Sequence, residues 1–205
     1  MQALVLDFGG ATSRTMFETH DLTEAALGLP RGSMLWRGPF APEGDALWRD
    51  MQAGVISERD YWLRRTSETG ALVDKCWAEM QDFVKAARGA EPGAIVRTEF
   101  RDALKVAKAA DLNLGILSNE LDLFYGAEFR DKLPFLSQFD AILDATYTHI
   151  LKPGARANLA ICEQLDVSAE DCVFDDDQLQ NVKGAIAVGM VPVHFDVMNP
   201  RQSYA

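Results

Sequence analysis

The stretch Ala3-Leu4-Val5-Leu6-Asp7-Phe8-Gly9-Gly10-Ala11 decides how the rest of the chain is read. A short apolar run that ends in an acid and two glycines predicts a buried strand running straight into a tight turn, with the carboxylate at the strand tip. Comparable apolar runs recur at residues 112–117, 141–143, 172–174 and 191–195, and helical patterns lie between them at 95–110, 120–132, 156–165 and 179–188. Each helical stretch is long enough to cross over a sheet, so the alternation predicts an α/β fold with a five-stranded, doubly wound parallel sheet.

The first two strands are separated by about a hundred residues, far more than one crossover needs. An insertion is therefore expected at residues 14–89, with the main domain formed by 1–13 and 90–205. Ser57-Glu58-Arg59-Asp60 reads as a capped helix start, and 43–53 and 71–88 also read as helices, so the insert is expected to be a small helical cap. Gly89-Ala90-Glu91-Pro92-Gly93 reads as its return hinge. Trp36, Phe40, Trp48, Trp62 and Trp77 are expected to form its core or its contact with the main domain, the alternative being that one or two line a closed substrate pocket. Arg14, Arg37, Arg64 and Arg65 are candidates for meeting an anion, although Arg64 and Arg65 read better as a solvated helix face.

Composition narrows the partners. The 205 residues carry 20 Lys+Arg against 31 Asp+Glu, a net charge of −11, and no basic block of five or more residues occurs. Nucleic acid and anionic membrane surfaces both reward clustered cations, so neither is expected as a partner. No segment approaches the roughly 20 apolar residues that span a bilayer, and the first residues lack a basic leader pattern, which predicts a cytoplasmic protein. Cys76, Cys162 and Cys172 show no metal-ligand spacing and read as buried thiols.

Chemistry in an open α/β sheet is expected at the carboxyl ends of the strands. Asp7, Gly9 and Gly10 follow the first strand, Ser118 and Asn119 the second, Lys152 and Pro153 the third, and Asp175-Asp176-Asp177 the fourth. Alone, Asp7 also admits a turn-residue reading, Ser118-Asn119 reads equally as a helix cap, and Lys152 reads better as a solvated lysine. Three crowded acids are harder to dismiss, because such a strand end is costly without a cation.

Together these residues resemble the haloacid dehalogenase superfamily, with all four motif positions in the family order from Leu4 to about Phe195. The resemblance implies Asp7 as nucleophile and Ser118, Asn119 and Lys152 as catalytic and phosphate-binding groups. It also implies Gly9 and Gly10 as backbone contacts to substrate, and Mg²⁺ held by Asp7, the Gly9 carbonyl, Asp176 and Asp177. The fourth-motif spacing to Asn181-Val182 selects Asp176 and Asp177, leaving Asp175 as an outward strand residue. The implied activity is hydrolysis of a small phosphorylated metabolite.

One departure matters: the family's phosphatases usually carry a second Asp where this chain has Gly9. The α-D-glucose 1-phosphate phosphatase-like branch shares that glycine and a similar cap. The alternatives are a metal-independent 2-haloacid dehalogenase-type hydrolase and a phosphate-binding protein with little turnover. His20 and His194 read as structural, and His149 is the one histidine placed to substitute as an acid.

Overall fold

The computed structural model describes residues 1–88 and 92–205. Five parallel strands, β1 (Ala3–Leu6), β2 (Asn113–Ser118), β3 (Ala141–Asp144), β4 (Cys172–Asp176) and β5 (Val191–His194), form one sheet in the order β3-β2-β1-β4-β5. This is the α/β, doubly wound arrangement expected from the sequence. The order reverses at β1, so the crevice beyond the tips of β1 and β4 is where such a sheet binds ligands.

The helices are α1 (His20–Ala26), α2 (Ala46–Gln52), α3 (Glu58–Ala71), α4 (Met80–Arg88), α5 (Thr98–Ala109), α6 (Leu121–Tyr125), α7 (Ala145–Thr148), α8 (Ala155–Gln164), α9 (Leu179–Ala187) and α10 (Pro200–Ser203). Alternate strand residues Ala3, Val5, Leu117, Cys172 and Phe174 are buried with Ala157, Ile161 and Ala185 of α8 and α9, which gives one face of the sheet an apolar core. Two expected helices are shorter than read. The stretch 120–132 breaks at Gly126, whose φ of +83° leaves the helical basin, and continues as a 3-10 turn at Ala127–Lys132. The stretch 71–88 becomes helical only from Met80, beyond Asp74 at φ 55°.

By contact density the chain divides into two compact units, one of Met1–Thr15, Gly93–Asp122 and Ala127–Ala205, the other of Met16–Pro92 and Leu123–Gly126. The second is helical. Ser57 and Asp60 close a capping box at the start of α3, as the sequence indicated. Its core gathers Met16, Phe17, Met34, Trp36, Trp48, Met51, Tyr61 and Phe83, with Trp62 and Trp77 partly buried against them. Phe17 meets Trp36 and Trp48 edge-to-face at centroid distances of 5.5 and 5.1 Å.

Three expectations fail here. Phe40 is exposed rather than core, and Cys76 is exposed while the other two cysteines are buried. Arg65 is not on a solvated face: it is buried, ion-paired to Asp45 and Glu68, and lies over Tyr61, whereas Arg64 is exposed. Helix α1 had no reading in the sequence at all. Residues 89–91 of the expected hinge lie outside the described residues; Pro92–Ile95 form a 3-10 turn. Among the described residues no helix is long and apolar enough to cross a membrane.

Candidate active site

Asp7 leaves the tip of β1 with its amide bonded to the Asp175 carbonyl at 2.9 Å, which continues the β1–β4 ladder one residue past the strand. The turn that follows is pinned from three sides. The Thr12 amide and hydroxyl both donate to the Asp7 carbonyl, at 3.2 and 2.9 Å, and the buried Arg97 guanidinium donates to the Gly10 carbonyl at 2.5 Å. Gly10 is obligatory: its φ is +88°, and a Cβ there would stand 2.6 Å from Cγ of Asp177. Gly9 is not, because its Cβ would meet only Asp7 Oδ2, at 3.6 Å.

Lys152 reaches the cluster from the loop after α7. Its Nζ lies 2.6 Å from both Asp7 Oδ1 and Asp176 Oδ2, with the ammonium group almost fully buried. Asn119, just past β2, fixes that loop at both ends of its amide: Oδ1 accepts from the Lys152 backbone N–H at 2.7 Å and Nδ2 donates to the Lys152 carbonyl at 3.2 Å. Ser118 ends β2 and is buried. The structure therefore gathers Asp7, Lys152 and Asp176, with Asp177 against Gly10 and Asn119 supporting Lys152 from its backbone.

Sequence reasoning named Asn181 only as a motif position and missed Arg97. Asn181 at the start of α9 donates to both oxygens of Asp176 at 3.1 Å, and the Gln178 N–H adds a bond at 2.8 Å. The Asp176-to-Asn181 spacing was visible in the sequence. Arg97 carried no local signal, since its partner Gly10 is 87 residues away. His149 is exposed at the left-handed C-cap of α7, and His194 approaches only the Asp177 carbonyl at 3.2 Å.

Charge is unbalanced here. Among the described residues Asp7 and Asp176 share the Lys152 ammonium, and the ligand oxygens of Asp7, Asp176 and Asp177 lie within 4.8 Å of one another. Burial, relieved by Lys152 and reinforced by Asp176, lifts the Asp7 carboxyl to about 6. Burial works against the Lys152 charge, but Asp176 and Asp7 outweigh it and hold the ammonium well above its ordinary value. Three hard carboxylate donors with surplus negative charge are a chemically suitable set for a small divalent cation.

Residues 19–189 match the family model described as haloacid dehalogenase-like hydrolase. The chain belongs to this family. The match begins beyond Asp7, so the turn after β1 is read from its sequence and geometry rather than from that alignment. As a haloacid dehalogenase-like hydrolase the chain is an enzyme by family. Over 140 residues it is 29% identical to "Phosphatase MT3486" of Mycobacterium tuberculosis, covering 59% of this chain and 64% of that protein. The chain thus spans just under two thirds of that relative's length. Among solved structures, a HAD phosphatase from Thermococcus onnurineus superposes with TM-score 0.55 at 19% identity, covering 96% of this chain and 86% of that one. The L-2-haloacid dehalogenase RSc1362 superposes with TM-score 0.57 at 20% identity over the same shares. Both likenesses establish the fold of this haloacid dehalogenase-like chain and nothing finer.

Proposed function

We propose that the chain is a Mg²⁺-dependent phosphatase of a small phosphorylated metabolite, working through an aspartyl-phosphate on Asp7. The observation that carries this reading is the cluster of Asp7, buried Asp176 and half-buried Asp177, the first two of which share the Lys152 ammonium. A carbon–halogen hydrolase that works without metal has no use for so much uncompensated charge. When bound by Asp7, the Gly9 carbonyl, Asp176 and Asp177, Mg²⁺ would offset the negative charge of the phosphoryl group and the carboxylates facing it.

The chain's own residues do the rest. Asp7, held at the strand tip by the Thr12 bonds, attacks phosphorus through a carboxylate oxygen as the ester O–P bond breaks. Lys152 and Ser118 hold phosphoryl oxygens, and Asn119 keeps Lys152 in place. Water then cleaves the acyl phosphate, releasing inorganic phosphate and restoring the carboxylate. Gly9 offers no acid for the leaving group and no base for that water. The reading therefore favours substrates with an acidic leaving group, such as a sugar 1-phosphate, and places slow breakdown of phospho-Asp7 after fast formation.

A panel of phosphate esters and 2-haloacids, run with Mg²⁺ and with chelator, tests the proposal. Phosphate release that needs Mg²⁺ and is lost in Asp7→Asn is the expected result. Chelator-resistant halide release would establish the dehalogenase-type reading instead, and phosphate binding without turnover would establish a binder.

A further inference from the structure

Strand β4 points its residues alternately to the two faces of the sheet. Phe174 and Asp176 share the face under α8 and α9, and Asp175 is on the other. By register Asp175 stands beside Leu6 of β1 and Val193 of β5, and Val173 beside Leu4. On this second face a cavity of about 610 Å³ opens between α5 and the C-terminal segment, within the range that accepts a small organic molecule. Its walls are largely apolar, with Leu4, Ala103, Val106, Val173 and Val193 among them, and Asp175 is the acid in its floor.

Asp175 is only 3% exposed, and its Oδ1 has no hydrogen-bond partner. A buried, unpartnered carboxyl is costly, and the apolar residues on either side of it show what the position would hold if packing were its only task. The nearby cation Arg97 acts on it through space but spends an N–H on the Gly10 carbonyl. Asp102 in the lining is a second acid, paired with Lys105 at 2.9 Å. Glu99 and Arg201 add one acid and one cation to the lining. What complements this surface is an apolar body carrying one hydrogen-bond-donating cation.

We infer that the cavity beneath α5 is a binding site for a small organic ammonium ion, its apolar body against Val106, Val173 and Val193 and its ammonium group on Asp175. The site is separate from the Lys152 cluster, since Asp175 and Asp176 point to opposite faces of the sheet.

Calorimetric titration of the full chain, in saturating Mg²⁺, with hexylamine, hexanol and hexanoate tests the inference. Hexylamine should bind at least tenfold more tightly than either analogue, and Asp175→Asn should remove that preference. Val106→Arg adds a competing cation at an exposed position of α5 and should weaken hexylamine at least tenfold even if Asp175→Asn fails to fold. Equal binding of all three probes, no binding of hexylamine at millimolar concentration, or hexylamine binding unchanged in Val106→Arg would each overturn the inference. The last outcome would place the amine at the other acidic cluster.

Discussion

Each unit of this protein buries a cation among carboxylates, and the two clusters differ in their charge balance. In the helical unit, Arg65 pairs with Asp45, whose carboxylate also accepts from the Gly38 and Trp48 amides and the Tyr61 hydroxyl. One buried acid meets one buried cation there, Asp45 has donors on both oxygens, and the exposed Glu68 adds a second partner to Arg65. In the α/β unit, Lys152 faces Asp7, Asp176 and Asp177. Asp176 is as fully bonded as Asp45, yet it shares Lys152 with Asp7, and the half-buried Asp177 adds a third carboxylate to the same site. Burial alone does not separate a structural ion pair from a reactive one; surplus charge does.

The largest expected effect follows directly. Asp7→Asn should lower turnover by roughly 10⁴-fold or more while leaving the fold intact, because it removes the attacking group and relieves crowding. Arg65→Met should do the opposite. It should cost about 3–5 kcal/mol in urea melts, since the buried Asp45 loses its cation, and the surviving folded fraction should keep its turnover. A reversal of these two outcomes would erase the distinction between the clusters.

A smaller effect is expected at Gly9, where backbone conformation and space both admit a side chain. Gly9→Asp should raise steady-state phosphate release by about 10- to 100-fold, because it supplies the base that the second step lacks. Gly10→Asp should instead abolish the site, given its positive φ and the contact with Asp177. Parallel kinetics of the two variants would check both.

The smallest effect is a pH dependence in the helical unit. Burial, with Arg37 nearby, lowers the His20 imidazole to about 4. The folded state thus binds fewer protons than the unfolded chain between about 6.5 and 4, so stability is complete above that window and is lost as pH falls through it. The slope should not exceed about 1.4 kcal/mol per pH unit. Melts of His20→Gln at pH 7 and pH 5 should show a smaller loss than the parent chain.

The sheet and its strand-end chemistry were legible because both are written locally. Runs such as Leu4-Val5-Leu6 mark strands, and the polar residues that follow them mark the ligand end. Asp7, Lys152, Asp176 and Asp177 could be listed from sequence for that reason. What was illegible depends on tertiary partners. Arg65 looked solvated because Asp45, 20 residues away, is what draws it inside. Asp175 looked like an outward residue, yet it is buried, and burial, with Asp176 and Asp7 nearby, raises its carboxyl to about 8, so an ammonium ion bound there would displace that proton. The crowding expected at Asp176 is also offset, since Lys152, Asn181 and the Gln178 amide bond its carboxylate. Asp177→Asn is therefore the cleaner probe of the cation site.

The most direct test is to catch Asp7 in the act. Rapid quenching of the Mg²⁺-loaded protein with a sugar 1-phosphate, followed by peptide mass analysis, should find one phosphoryl group on Asp7, formed in a burst near one equivalent and absent in Asp7→Asn. Phosphate released without a phosphorylated Asp7 peptide, or label on any other residue, would contradict the assignment of Asp7 as nucleophile.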